Sequence, residues 1–315
     1  MSFRHEINGQ REFQRIDTMT RKHVLEYKEN LHTHTLFCDG KNKPEEMVQE
    51  AIKKNFQVLG FSGHCYTSYD LAYCMTEEET EAYRKEVNRL SALYKGQIQI
   101  FCGIEQDLYG DFRADEYDYA IGSVHAFFKP CQVPEEVPSG IVKGDGGCYI
   151  YVDWERGAME WAISNLYAGD CFALAEDYYH AVSQFSKRDD CPLVGHFDLL
   201  TKFDEKPANK PLFDTSHPRY RDAALSAMKA LHEAGKIFEI NTGAMAKGYR
   251  NAPYPSFDLL KELHKMGGRI TLSSDCHDAK YLDYGFEEAL DVARQAGFTS
   301  IWVLNGNACW MEELI

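Results

Sequence analysis

From residue 30 onward the chain repeats one pattern: a short apolar run, then a longer stretch whose apolar positions recur at helical spacing. The short runs predict strands at 30–34, 57–62, 98–105, 117–124, 193–196, 236–241 and 269–274. The longer stretches predict helices at 44–54, 77–94, 158–168, 172–187, 219–234, 257–265 and 286–295. Pro44 opens the first of them, where its missing N–H costs nothing. Thr76 opens the second with Glu79 three residues on, a capping box. Strands alternating with helices predict parallel strands joined by crossover helices. A chain of 315 residues is an ordinary length for one α/β barrel.

Three segments break the pattern. Residues 1–29 are polar and charged and read as an N-terminal extension to a single domain at 30–315. Between His125 and Leu193 runs an insertion, about 126–192, that begins as a Pro- and Gly-rich loop and continues as two helical patterns. Insertions of this kind build lids and substrate walls. Near the end, Asn305–Gly306 between two apolar runs predicts a β-hairpin. No internal repeat and no low-complexity tract occurs.

A hydrophobic fraction of 44% is enough for a sizeable core. The net charge of −15 argues against a nucleic-acid partner, whose phosphates need a basic surface. An anionic substrate would equally need a locally positive site, which bound metal ions supply. The 10 cysteines include no C-x-x-C pair and read as reduced thiols of a cytoplasmic protein. The first residues lack the apolar stretch of a signal peptide, and no apolar run reaches the length of a membrane span.

The candidate chemistry sits where the strands end. The first ends in NLHTH, with His32 and His34 two apart and so on one face. The loop after it holds Asp39. GFSGH supplies His64, GIEQD Glu105, IGSVH His125 and VGHFD His196. SSDCH supplies Asp275 and His277, again two apart. The C-terminal ends of parallel barrel strands converge on one rim. Such a set exceeds the roughly four ligands of one zinc and suits two or three ions. Imidazole with carboxylate favours Zn, Mn or Fe.

A histidine alone is more often packed or solvated than a ligand, so the contrast within the chain matters. Of 12 histidines, His5 and His23 lie in the polar arm, His180, His232 and His264 fall in helical patterns, and His217 is in a Pro-flanked loop. Asp39 is the weakest candidate ligand, because Asp-Gly after a strand is also a turn signal. Cys38, Cys65 and Cys276 flank proposed ligands and are read as small buried hydrophobes, Cys276 pointing away from its neighbours.

The ordered set HTHTLFCDG, GFSGH, GIEQD, IGSVH, VGHFD and SDCH resembles the polymerase-and-histidinol-phosphatase (PHP) family, most closely its histidinol-phosphatase branch, over about residues 30–300. The resemblance implies a distorted TIM-like barrel of seven β/α units with a metal cluster at its C-terminal rim. It implies a first metal held by His32, His34, Glu105 and Asp275, with Glu105 bridging to a second completed by His125 and His196. A third would be held by Asp39, His64 and His277. Some relatives place a histidine where Asp39 falls. Glu105, Asp275 and His196 are thereby the expected catalytic residues.

EINTGAMAKGYRNAPYPS resembles the branch's substrate-side loop and offers Arg250 as a phosphate-gripping cation, with Lys202 as a second candidate. Asp153, in the insertion, is a candidate for the ammonium of an amino alcohol. The activity implied is hydrolysis of a small phosphomonoester, L-histidinol phosphate, in histidine synthesis. Two other readings remain at this point: another phosphoesterase of the same fold acting on a small phosphoester, nucleotide or phosphotyrosyl protein, and a metal-binding regulatory module without turnover. Oligomeric state is not legible.

Overall fold

The structure, a computed structural model, describes residues 28–69, 71–110, 116–205, 210–305 and 309–315. The expected N-terminal extension, with His5 and His23, lies outside the described residues but for its last two positions, and so does Gly306.

The chain opens with β1 (Glu29–Asn30), α1 (Pro44–Lys53), β2 (Val58–Phe61), α2 (Glu77–Leu93), β3 (Gln99–Asp107) and β4 (Tyr119–Ser123). Then come β5 (Ala126–Pro130), β6 (Ile141–Gly144), β7 (Gly147–Tyr151), α3 (Arg156–Leu166) and α4 (Cys171–Ser183). The rest is β8 (Leu193–Val194), α5 (Pro218–Glu233), β9 (Ile237–Asn241), α6 (Gly243–Ala246), α7 (Phe257–Lys265), β10 (Arg269–Ser273), α8 (Phe286–Ala296), β11 (Ser300–Leu304) and β12 (Trp310–Leu314).

Seven strands form one sheet in the order β1-β2-β3-β4-β8-β9-β10, every pair parallel. Just past the ends of β1 and β10, an isolated parallel bridge between Thr33 and Cys276 brings the two edges together. The result is the nearly closed, distorted (β/α)7 barrel expected from the strand–helix alternation. Local sequence sets the helices. Pro44 occupies the first turn of α1, and in α2 Thr76 Oγ1 accepts from Glu79 N–H (3.2 Å) while Glu79 Oε2 accepts from Thr76 N–H (2.9 Å).

Side-chain alternation divides the core in two. Along β9, Ile237 joins Leu31, Val58, Phe101, Tyr119, Ile121 and Leu193 inside the barrel, whereas Phe238 and Ile240 join the layer under the helices. Several interior residues open their strands, which places them at the N-terminal end of the barrel. Leu304 of the β11–β12 hairpin packs into the same cluster, flanked by Trp302 and Trp310. The hairpin thus covers the floor, opposite the rim that carries the chemistry.

The structure corrects three expectations. The Pro- and Gly-rich start of the insertion is an antiparallel sheet, order β5-β7-β6. Its signal was Asp145–Gly146 between β6 and β7, a short hairpin turn in which Gly146 takes φ +74°. Second, β1 stops at Asn30, so His32 and His34 follow the strand rather than lie on it; the Thr33–Cys276 pairing keeps that segment in register. Third, β8 is only two residues long, and α4 continues as a 3-10 turn over Gln184–Lys187. No helix among the described residues is long and apolar enough to cross a membrane.

Candidate active site

The nine rim residues expected from the sequence converge. Glu105, near the end of β3 and 1% exposed, lies at their centre. Its Oε1 stands 3.3 Å from His125 Nε2 and 3.0 Å from His196 Nε2. Its Oε2 stands 3.3 Å from His32 Nε2, 3.5 Å from His34 Nε2 and 3.0 Å from His64 Nδ1. Each oxygen therefore faces its own set of imidazoles, the arrangement of a bridging carboxylate. Asp275 Oδ1 lies 3.3 Å from His34 Nε2 and 3.8 Å from His32 Nε2. On the outer side, Asp39 meets His277 Nε2 at 3.1 Å, His64 Nε2 at 3.6 Å and His34 Nδ1 at 3.7 Å.

Backbone geometry aims these groups. Asp275 takes φ +46°, a left-handed conformation that aspartate tolerates better than most residues. Gly243 lies against it, and a Cβ at that position would come within 2.8 Å of the Asp275 Cβ. Gly40 lets the chain after His34 fold back, since a Cβ there would meet Thr35 N at 2.4 Å.

The donor set fits metal ions. Among the described residues, His32 Nε2, His34 Nε2 and Glu105 Oε2 are all buried without a hydrogen-bond partner, and they face one another. Buried polar atoms are rarely left so. Three lone pairs converging on one point call for an electrophile. Ligands about 2.1 Å from a tetrahedral ion lie about 3.4 Å apart, close to the spacings here. The remaining clusters, His34–Asp39–His64–His277 and His64–Glu105–His125, make this a site fit for more than one ion.

The cluster is strongly coupled: against burial, Glu239, Glu105 and Asp275 raise the pKa of His32 well above its usual value, and Glu105 and Asp107 do the same for His125, so a metal ion bound there displaces protons. Burial penalises charge on Glu105, but His32, His125 and His64 outweigh it and hold the carboxyl well below its usual range. Asp39 and Asp275 are likewise held low despite burial, Asp39 by His64 and His277, Asp275 by His32 and the nearby Lys247. Burial, reinforced by His277 and His64, brings His34 down to about 3, keeping it a neutral lone-pair donor.

The flanking cysteines resolve differently. Cys276 Sγ donates to Asp278 O (3.0 Å), and Cys65 is buried with its Sγ accepting from Asp107 N–H (3.2 Å). Cys38 is only half-buried, and its Sγ sits 3.6 Å from His34 Nδ1, so it is more than a packing group. Burial and then Asp39 push its thiol up to about 12, which keeps it protonated.

Above the cluster lies a cavity of ≈ 210 Å³. Tyr73, Tyr151, Trp154 and Tyr254 give it an aromatic wall, and Asp153 and Lys202 also line it. Those two are paired: Lys202 Nζ donates to Asp153 Oδ2 (3.1 Å) and Asp153 O (2.8 Å). Arg250 does not line the cavity. Its buried guanidinium donates to Glu205 Oε1 (Nε, 3.1 Å) and Thr201 Oγ1 (Nη1, 2.7 Å), and stacks 4.4 Å from the Tyr254 ring centre. The expectation that Arg250 grips phosphate therefore does not fit; it braces the wall from behind. Lys247, in the same loop, is exposed and lines the cavity.

Sequence reasoning passed over Lys247 and two carboxylates. Asp107 Oδ2 lies 3.3 Å from His125 Nδ1 and takes Tyr69 OH on Oδ1 at 3.1 Å. Glu239 holds His32 Nδ1 at 2.9 Å. Both had a signal: an acid two residues beyond Glu105 on one strand, and a lone acid inside the apolar run IFEIN.

A parallel barrel with a histidine–carboxylate cluster at its C-terminal rim defines a metal-centre barrel. Residues 30–243 match the family profile described as PHP domain, and the chain belongs to that family. It is 27% identical over 295 residues to the "Probable histidinol-phosphatase" of Schizosaccharomyces pombe, covering 87% of this chain and 88% of that protein. It is 24% identical over 279 residues to the histidinol-phosphatase of Bacillus subtilis, covering 82% and 97%. Among solved structures, the fold is similar to the histidinol phosphate phosphatase of Lactococcus lactis complexed with Zn, L-histidinol and phosphate, with a TM-score of 0.61, 22% identity and coverage of 89% and 97%.

Proposed function

We propose that this chain is a metal-dependent phosphomonoesterase that hydrolyses L-histidinol phosphate to L-histidinol and phosphate. The observation that carries the reading is the convergence of His32 Nε2, His34 Nε2 and Glu105 Oε2, buried and without hydrogen bonds among the described residues. The relatives' names and the Lactococcus complex supply the substrate class. In this reading His32, His34, Glu105 and Asp275 hold a first ion, Glu105, His125 and His196 a second, and Asp39, His64 and His277 a third, as Zn, Mn or Fe. Bound there, such ions activate water as a nucleophile and neutralise charge on the phosphoryl oxygens.

The chain's own residues orient the ester. Lys247 is the cation placed to meet the phosphate, on the Asp275 side of the cavity. Asp153, on the insertion, offers an acceptor to the substrate's ammonium, and Lys202 holds that carboxylate in place. Tyr73, Tyr151 and Trp154, set at steep angles to one another, offer aromatic edges and faces to the imidazole. The acidic chain suits a small substrate better than a nucleic acid, and 10 free thiols fit the reducing cytoplasm.

Competitive kinetics on the Mn- or Zn-loaded protein test the reading. Histidinol phosphate is expected to exceed an aryl phosphate by orders of magnitude in kcat/KM, because a polar site penalises a ligand that leaves its groups unpaired. Comparable values would remove the histidinol assignment, and no turnover of either would remove the phosphatase.

A further inference from the structure

Glu239 is a carboxylate in the middle of a fully buried strand, 1% exposed, one step above Ile237 on the face that looks into the barrel. Burying an ionisable group costs free energy unless every lone pair is used. Here each oxygen is occupied. Both lie 2.9 Å from His32 Nδ1. Oε1 accepts from the His196 N–H at 3.1 Å. Oε2 accepts from Ser273 Oγ and from Asn241 Nδ2, the latter at 3.4 Å.

An ionised carboxylate only accepts, so the proton of His32 must sit on Nδ1. In the neutral ring that binds a metal ion, the lone pair is then on Nε2, which points at Glu105 Oε2 at 3.3 Å. Oε1, one of the two Glu239 oxygens facing His32, also holds the backbone of His196, whose Nε2 lies 3.0 Å from the other Glu105 oxygen. One carboxylate therefore reaches residues on both sides of the bridging glutamate. Gly195 makes room for this contact: a Cβ there would come within 3.1 Å of Glu239 Oε1.

We propose that Glu239 is a positioning residue of the metal centre: it fixes His32 in the Nδ1–H form and ties it to the His196 backbone, so that the two histidines flank Glu105 as one unit. This rests on reading the rim cluster as a metal centre. Whichever way a glutamine is turned, its amide NH2 takes a position 2.9 Å from His32 Nδ1, so Glu239→Gln keeps the shape and disturbs the orienting contact.

The test is competition against a chromophoric chelator, with Zn alone as the probe, on wild type and Glu239→Gln. Loss of an orienting carboxylate typically costs about 10–100-fold in metal affinity. That loss is expected for part of the bound zinc, with the far-ultraviolet circular dichroism of the variant unchanged. Wild-type affinity in the variant would overturn the proposal while leaving the metal centre intact; a wild type that binds no zinc would instead overturn the metal reading itself. A second measurement needs no variant. In the zinc-loaded wild type, nitrogen NMR of the His32 ring should show Nδ1 protonated and Nε2 not. The opposite tautomer would overturn the proposal even if Glu239→Gln failed to fold.

Discussion

Thr33 and Cys276 pair as an isolated parallel bridge, and the residues on either side of each are candidate ligands. His34 N–H donates to Cys276 O at 2.9 Å, and Cys276 N–H donates to His32 O at 3.1 Å. Closing the barrel and assembling His32, His34, Asp275 and His277 are thus one event. Ions bound across this seam stabilise the native state by mass action. Chelation with EDTA followed by dialysis is expected to abolish phosphatase activity and to lower Tm by several degrees, with Mn or Zn restoring both. Elemental analysis of the active protein should give between two and three ions per chain. An active protein free of metal would sink the reading.

Glu105 touches both sets of imidazoles, so its loss should disturb two ions together. Glu105→Gln is expected to lower kcat by at least about a hundredfold and to reduce metal content. His264 lies exposed on α7, its ring against Phe298 and away from the rim. His264→Asn should be nearly silent in the same assay. Equal effects of the two substitutions would undo the assignment.

Lys247 and Arg250 stand three residues apart and should fail in opposite ways. Lys247→Ala removes a cavity cation, and kcat/KM is expected to fall about 10–100-fold, as for a lost charge-assisted bond, with Tm unchanged. Arg250→Ala strips a buried partner from Glu205 Oε1 (3.0 Å) and leaves Asp198 Oδ1 (3.8 Å) facing a void. Breaking a buried pair costs about 3–5 kcal/mol, so its effect should appear in Tm. Thermal melts beside steady-state kinetics separate the two, and a stable Arg250→Ala with impaired phosphate binding would restore the original expectation.

Glu29 lies at the barrel floor, 4% exposed, with Leu304 N–H donating to Oε2 at 2.8 Å and Oε1 without a partner among the described residues. Burial raises its pKa well above the usual value, and the Leu304 bond offsets this only in part. The folded state therefore holds the proton more tightly than the unfolded chain. Its stabilising effect is full below the unfolded value, roughly pH 4.3, and is lost as pH rises toward the folded one. Glu29→Gln is always neutral. Its Tm should match the wild type near pH 4 and exceed it by about 2 °C or more at pH 8. A variant that melts lower at pH 8 would refute the assignment.

The rim was legible because histidines and carboxylates recur at strand ends, a position that topology alone brings together. His64, Glu105, His125 and His196 needed no distance information, only the inference of parallel strands. What failed was reading side-chain environment from sequence. Arg250 and Lys247 share one loop and one charge, and nothing in AMAKGYRN says which of them Glu205 and Thr201 will engage. Those partners come from the segment after β8, far away in sequence. The β5-β7-β6 sheet was obscured by glycines and prolines that end strands as readily as they fill loops. Glu239 stayed hidden because its role depends on a hydrogen bond between β9 and the segment after β1.

The hairpin under the barrel has a consequence for traffic. Leu304, Trp302 and Trp310, packed against the interior side chains, cover the floor among the described residues. The cavity is a cul-de-sac with its doorway at the rim. In the proposed reading, an ester bound phosphate end first would present its alcohol at the mouth, and both products would leave by the way the next substrate arrives.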